Sequence, residues 1–333
     1  MLRHASFMVA TLLLATTACS TVHVRVPIMR PAEINLRGKS ELVIGAIDGP
    51  ASSEINSMLK DSIVSSGRFK LVDRQHLDKV MQELSLSQSD LASTDSRRKL
   101  GKLMTGSIML VGRVERDDYD EQTSVNKETC SKQVNKKSVQ YPCTRRTRAG
   151  NANFAVGFDV IDIETGENLK PKRLSCKRSD SKSAVDGTPA AIDGRSLLDS
   201  CHREAVTSFM KAIAPWQDFV NAPFLKDGDV PPLEQGINYA QRGEWTDAIE
   251  KFRSAVEFVG SKPGLEADII AKAHWDLGLA YEYTFRFPEA IEEIKKAYDM
   301  TSNTQFLAEI DNVKRLQQEQ EKLKEQTGEG GES

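Results

Sequence analysis

Two stretches of the chain align without a gap: "GINYAQRGEWTDAIEKFRSA", from Gly236, and "GLAYEYTFRFPEAIEEIKKA", from Gly278. Gly236 falls on Gly278, Tyr239 on Tyr281, Ala248 on Ala290 and Ala255 on Ala297. A gapless internal repeat makes the same small unit pack the same way twice, which excludes most folds for this part of the chain. Glycine and alanine suit positions where two helices approach closely. Tyr239, Phe252 and Tyr281 supply the bulk between them. The period is 42 residues, so "EFVGSKPGLEADI" must hold an extended helix or a loop. "KDGDVPP" is a turn-rich boundary ahead of the repeat.

This pattern of small and aromatic residues on paired antiparallel helices resembles the tetratricopeptide repeat, whose usual period is roughly 34 residues. The resemblance implies two repeats over 225–302. A capping helix is predicted over 303–325, with Phe306, Leu307, Ile310, Val313 and Leu316 on its apolar face, and a disordered tail over 326–333. Such arrays bind peptide segments or domains in a groove. By this analogy the groove positions are Ile237, Gln241, Trp275, Leu279 and Tyr283, and envelope proteins are the implied partners. The lysine and asparagine set that clamps a C-terminal carboxylate is missing. The competing reading is that these side chains only pack against a neighbouring domain.

At the other end, Arg3 and His4 precede the apolar run "FMVATLLLA" and the small residues Thr16, Thr17 and Ala18. That is the layout of a signal peptide over 1–18, too short to span a bilayer, which takes about 20 residues. Cys19 follows directly and resembles the acceptor of the bacterial lipoprotein box, although Thr16 stands where leucine is usual. The resemblance implies an acylated Cys19 as the first mature residue, with Ser20 directing the chain to the periplasmic face of the outer membrane. An ordinary signal peptide with nearby cleavage is the other reading. Residues 19–39 then read as a lipidated linker.

Between these ends, 40–220 reads as one α/β unit. "SELVIGAIDGP" is a strand and turn. The next segment, with Ile55, Met58, Leu59, Ile63 and Val64 at helical spacing, is a helix ended by Gly67. "RFKLVDR" is a strand, "QHLDKVMQELSL" a helix, and a further helix near 94–104 leads into the strand "GSIMLVGRVE". A polar insert occupies 116–150. "NFAVGFDVIDIETGE" returns as a strand with Phe154, Val156, Phe158 and Val160 on one face. "LKPKRLSCK" is another strand, and an amphipathic helix spans 193–218. The fold class is therefore an α/β (α+β) mixed sheet with packed helices, followed by an all-α helical-repeat domain.

Three blocks in this unit, "SGRFKLVDRQHLDKVMQELSLS", "KLGKLMTGSIMLVGRVE" and "FDVIDIETGE", occur in the order found in the curli-secretion lipoproteins, the CsgG family, which the chain resembles over about 40–215. In that pattern Asp73 and Arg74 close the second strand, and Gly101 to Leu103 feed the next. The resemblance implies an outer-membrane lipoprotein. Pore-forming members insert two β-hairpins per subunit, and each strand needs roughly 9–11 residues with an apolar lipid face. Here the stretch 123–150 carries seven Lys/Arg and one Glu, and "KPKRLSCKRSDSKSAVDG" is as polar. A charge on a lipid face costs about 2–4 kcal/mol near the midplane, so neither insert suits a membrane. Lys127, Lys132, Lys136, Lys137, Arg145, Arg146 and Arg148 instead offer a basic surface to an anionic partner. The plainer reading is a solvated, disulfide-pinned loop partly neutralised by Glu115, Asp117, Asp118, Asp120 and Glu121.

Beyond Cys19, four cysteines remain. In an exported chain Cys130, Cys143, Cys176 and Cys201 suggest two disulfides. Three connectivities are open, and Cys130–Cys143 with Cys176–Cys201 closes the shorter loops. No CxxC or HxxxH spacing marks a metal site, and there is no phosphate-cradling loop or GxSxG. The five histidines are scattered. His202 beside Cys201 suggests no nucleophile if that cysteine is in a disulfide. No catalytic residue, cofactor or metal is expected. A net charge of −3 excludes a generally basic, nucleic-acid-coating protein. The combined expectation is a non-enzymatic envelope adaptor or regulator for surface-structure assembly or peptidoglycan synthesis, with a homo-oligomer among its candidate assemblies. The alternative is a subunit of a curli-type secretion channel.

Overall fold

A computed structural model describes residues 20–72, 93, 96 and 106–328. The predicted leader, Cys19, the helices expected near 75–86 and 94–104, Asp73, Arg74 and residues 101–103 lie outside the described residues. In chain order the elements are β1 (Ser20–Arg30), β2 (Glu41–Asp48), α1 (Ser52–Ser66), β3 (Lys70–Val72), β4 (Ser107–Val134), β5 (Lys137–Asp162), β6 (Lys172–Val185), α2 (Gly194–Ile213), β7 (Trp216–Lys226), α3 (Pro231–Gln241), α4 (Trp245–Ser261), α5 (Ala267–Glu282), α6 (Phe287–Thr301) and α7 (Thr304–Thr327). They divide into two units: Pro31–Trp216 with Leu323–Ser333, and Met1–Arg30 with Gln217–Lys322.

The first unit is the mixed sheet with packed helices, in the order β3-β2-β4-β5-β6. β2 runs parallel to β3 and β4, while β4–β5 and β5–β6 are antiparallel. Leu42 and Val43 of β2 are both fully buried, so this central strand is covered on both faces and reads as a continuous apolar run. β5 alternates instead: Ala152, Phe154, Val156, Phe158 and Val160 point inward. α2 covers that face, with Phe209 against Phe158 at 4.5 Å between ring centroids. Asp193 caps α2 by accepting the Ser196 N–H at 3.0 Å. On α1, Ile55, Leu59 and Ile63 are buried at i, i+4 and i+8, whereas Val64 is 63% exposed because it falls off that stripe.

Three expectations need correction here. The last helix does not reach 218. Pro215 pushes Ala214 out of the helical region, to φ −134° and ψ 143°, and the chain continues as β7. The polar insert 116–150 is no loop: β4 and β5, of 28 and 26 residues, form one long hairpin through it. Its tip is a two-residue turn in which Asn135 and Lys136 both adopt positive φ, 53° and 64°, between Val134 and Lys137. That geometry matches the right-handed twist of the strands it joins. The tail expected over 326–333 is helical where it starts: Gln326 and Thr327 belong to α7, and 329–333 lie outside the described residues. The Gln326 side-chain amide accepts from the Ala32 N–H and donates to the Ala32 carbonyl, both at 2.8 Å.

The second unit joins the two-stranded sheet β1-β7 to helices α3 to α7. The predicted linker 19–39 is thus a strand over most of its first half, and Val24, Val26 and Ile28 belong to the apolar core of the helical unit. α3–α4 and α5–α6 are two helical hairpins in one register: α4 starts at Trp245 and α6 at Phe287, one period of 42 residues apart. A Cβ on Gly236 would sit 2.5 Å from the Phe252 ring, and one on Gly278 would sit 2.6 Å from Ile294. Both glycines are therefore required by close approach at equivalent places. The longer period is absorbed by the break at 262–266 and the early start of α5. α7 buries Phe306, Ile310, Val313 and Leu316, but Leu307 is 40% exposed, contrary to its expected place on the apolar face.

Candidate functional site

β7 lies against α5. The Leu225 N–H donates to Asp276 Oδ1 at 2.8 Å, and the Trp275 indole N–H donates to the Pro223 carbonyl at 2.9 Å. Phe224 of β7 stacks on Phe252 at 5.3 Å, and Trp275 packs on Phe306 at 4.6 Å. The positions assigned to an open groove are therefore separated. Ile237, Trp275 and Leu279 are buried in the unit's own core, and Gln241 is exposed on the surface. Tyr283 lines a cavity of about 260 Å³. What the sequence did not reveal is the occupant of the face carrying Trp275: an extended segment of this same chain, most of it beyond the helix expected to end at 218.

The cavity has a mixed lining, with Ile28, Val220 and Leu316 on its apolar side. Arg30, Asn221, Glu282, Glu309 and Arg315 line it beside Tyr283. Burial pushes the Glu282 carboxyl up to about 9, and the charge of Glu309 and a hydrogen bond shared with it act in the same direction. Glu282 is therefore protonated at neutral pH. Burial also raises the Tyr283 phenol. Deeper in the unit, burial raises the Asp276 carboxyl well above its ordinary range, against the opposing effect of the Leu225 N–H. Arg30 is held by Asp218 and Glu319. The arrangement can take hydrogen bonds from a small polar group, and it presents no nucleophile with an adjacent base.

In the sheet unit the hairpin forms a ribbon. β6 accompanies β5 as far as the pair Arg145–Val185; beyond it Lys127–Val134 and Lys137–Thr144 continue as two strands alone. Disulfides join Cys130 to Cys143 within this two-stranded part, and Cys176 of β6 to Cys201 of α2. Of the seven basic residues, Lys127 is exposed at the base of the two-stranded part and Lys132, Lys136 and Lys137 are exposed near the tip, with Lys132 Nζ 5.1 Å from the Tyr141 ring centroid. Arg145 pairs with Glu128 at 2.7 Å, Arg148 with Glu121 at 3.2 Å, and Arg146 donates to the Gly187 carbonyl at 3.1 Å. The arginines thus brace the ribbon, and the lysines give it a basic end. Among the acidic residues expected to neutralise the insert, Asp118 and Asp120 accept from Asn153 and Asn151, and Asp117 turns toward His202.

Among the described residues, two groups bring three potential metal-ligand atoms within 4.8 Å of one another. Glu128, Cys130 and Cys143 form one, but its sulfurs are bonded to each other and cannot ligate as thiolates. Glu54, Asp199 and His202 form the other. No described helix is long and apolar enough to cross a membrane.

A family model described as curli production assembly/transport component CsgG matches residues 39–214, just over half of the chain. No curated protein sequence matches. Solved structures that superpose in part include the LpoB C-terminal domain from Salmonella enterica, at 15% identity, 42% of this chain, 84% of that one and a TM-score of 0.27. Lipoprotein GNA1162 from Neisseria meningitidis is 8% identical over 51% of this chain and 97% of its own, with a TM-score of 0.28. A PelC dodecamer from Paraburkholderia phytofirmans is 11% identical over 57% and 98%, with a TM-score of 0.27.

Proposed function

The chain belongs to the CsgG family through residues 39–214, and from that premise we propose that it is a non-enzymatic lipoprotein of the outer membrane's periplasmic face, an adaptor or regulator for envelope machinery. Acylation at Cys19 anchors it, and the two disulfides suit an oxidising, exported setting. The helical hairpins are tetratricopeptide-type units whose ligand face is taken by β7. The partner surface is then the ribbon. The observation that carries this reading is the ribbon's composition. Along a strand, alternate residues share a face, and both faces of 122–134 are mainly polar, with Gln122, Ser124, Asn126, Glu128 and Lys132 on one and Thr123, Lys127, Thr129, Ser131 and Gln133 on the other, and one exposed valine on each, Val134 and Val125. A solvated ribbon with a lysine-rich end suits an acidic protein surface, where such charges speed encounter and fix register.

One observation favours the channel subunit. The hairpin's strands are longer than the roughly 9–11 residues that cross a membrane. Photo-cross-linking in intact cells, with the reactive side chain placed at Lys132 or at Gln241, separates the two. Adducts with a heterologous envelope protein at Lys132, and none at Gln241, are expected. Adducts only between copies of the chain, together with conductance from the purified protein, would overturn the adaptor in favour of the channel.

A further inference from the structure

His202 is almost wholly buried, its side chain 3% exposed, yet only one of its ring nitrogens has a hydrogen-bond partner. Nε2 lies 2.7 Å from Asp117 Oδ1; an Nε2–H that donates to this carboxylate leaves Nδ1 as the ring nitrogen able to offer a lone pair. Nδ1 is buried without a hydrogen bond. Its nearest carboxylate oxygen is Glu54 Oε1 at 3.7 Å, and a carboxylate oxygen of Asp199 joins both within 4.8 Å. Three electron-pair donors thus converge, and neither Glu54 nor Asp199 pairs with a lysine or arginine among the described residues. A divalent cation between the donors would be attracted by both carboxylates and by the imidazole lone pair.

The setting holds these donors in place. Asp199 and His202 stand at i and i+3 on α2, on one face of the helix, and Glu54 is in the first turn of α1. The edge of the Phe154 ring packs on the imidazole at 4.6 Å, and the disulfide at Cys201 ties α2 to β6 one residue earlier. A carboxylate on the far nitrogen of a metal-binding histidine is the usual way of fixing its tautomer and orientation. Metal–ligand bonds of about 2.1 Å put tetrahedral donors about 3.4 Å apart, so small rotations of Glu54 and Asp199, both half-buried, would close the shell.

We propose that Glu54, Asp199 and His202 Nδ1 form a site for a divalent transition-metal ion of the zinc class, with Asp117 as the positioning residue on Nε2 and water completing the coordination. Imidazole selects against magnesium and calcium. The ion links the start of α1 to the middle of α2 and leaves one position open to the solvent side. No short motif announces it, because its ligands come from segments far apart in the chain.

The test uses the full chain freed of metal by a chelator. Co²⁺ is titrated while visible absorption is followed, Zn²⁺ is then used to displace it, and thermal unfolding is recorded with and without Zn²⁺. One saturable equivalent is expected, with a tetrahedral cobalt spectrum and a higher Tm in Zn²⁺. Glu54→Gln and Asp199→Asn should each weaken binding at least tenfold and remove the Tm shift, and Asp117→Asn should weaken it by about 10–100-fold. His202→Gln should abolish binding; should that buried substitution prevent folding, the two half-buried carboxylate variants decide alone. No saturable uptake by the unsubstituted chain, or uptake unchanged in Glu54→Gln and Asp199→Asn, would overturn the site.

Discussion

Glu282 carries the most perturbed carboxyl for which burial and a neighbouring acid act together, and its protonation has a measurable consequence. The folded chain holds its proton up to about pH 9, whereas the unfolded chain releases it near the ordinary carboxyl value. Its contribution to stability is therefore full below the unfolded pKa and declines as the pH rises toward 9. Glu282→Gln, which keeps the shape and removes the titration, should flatten stability between about pH 5 and 9 and raise it by more than about 1 kcal/mol at pH 8. Urea unfolding across that range checks this, and an unchanged pH profile would refute the assignment. Asp276 pulls in the same direction, so the flattening should be partial. At this scale the sequence was only partly legible. Gly236 and Gly278 announced close approach by their matched positions. Glu282 and Asp276 gave no sign of burial, because an acidic residue on a helix reads as a solvent-facing one. Leu307 and Val64 misled in the opposite sense, since a single apolar residue beside a stripe looks like part of it.

At the scale of elements, the ribbon and α2 are each held by one disulfide, but the two bonds restrain different things. Cys130–Cys143 crosses strands already paired in register. Cys176–Cys201 joins a strand to a helix across 25 residues of chain, where no backbone ladder could do the same work. Replacing Cys176 and Cys201 together by alanine should cost about 3 kcal/mol of stability, read by denaturant unfolding. Replacing Cys130 and Cys143 should chiefly speed amide exchange at the ribbon tip. Equal global losses from both pairs would show that the ribbon unfolds with the sheet rather than ahead of it. The core strands were legible from burial pattern: a continuous apolar run for β2 and alternation for β5. The distal ribbon was not, because two polar faces erase the period-2 signal and the turn residues Asn135 and Lys136 lack the glycine that usually marks such a turn. β7 was hidden for another reason: its apolar residues extend the helical pattern of α2, and only Pro215 marks the change.

For the whole molecule, the second unit is discontinuous. β1 belongs with Gln217–Lys322, so Pro31–Trp216, the main part of the sheet unit, is an insertion between β1 and β7. The helical unit cannot complete its core until both strands are present, because Val24, Val26 and Ile28 sit in one cluster with Phe224, Leu279 and Trp275. Val26→Asp, a charge at a position only 2% exposed, should cost at least about 3 kcal/mol. Hydrogen exchange should show that loss in α3 to α6, with protection in β2, β4 and β5 retained; uniform loss in both units would contradict the division. No sequence pattern announced this pairing, since contacts between strands almost the length of the domain apart leave no local trace. The place where β1 starts has a further consequence for the proposed anchor. β1 begins at Ser20, the neighbour of Cys19, and consecutive Cα atoms are about 3.8 Å apart. On the proposal that Cys19 is acylated, the leash would be short: the strand would start close to the headgroups, and the molecule could pivot but not drift away from the surface. A search for a partner would then be two-dimensional, with its reach set by the size of the fold.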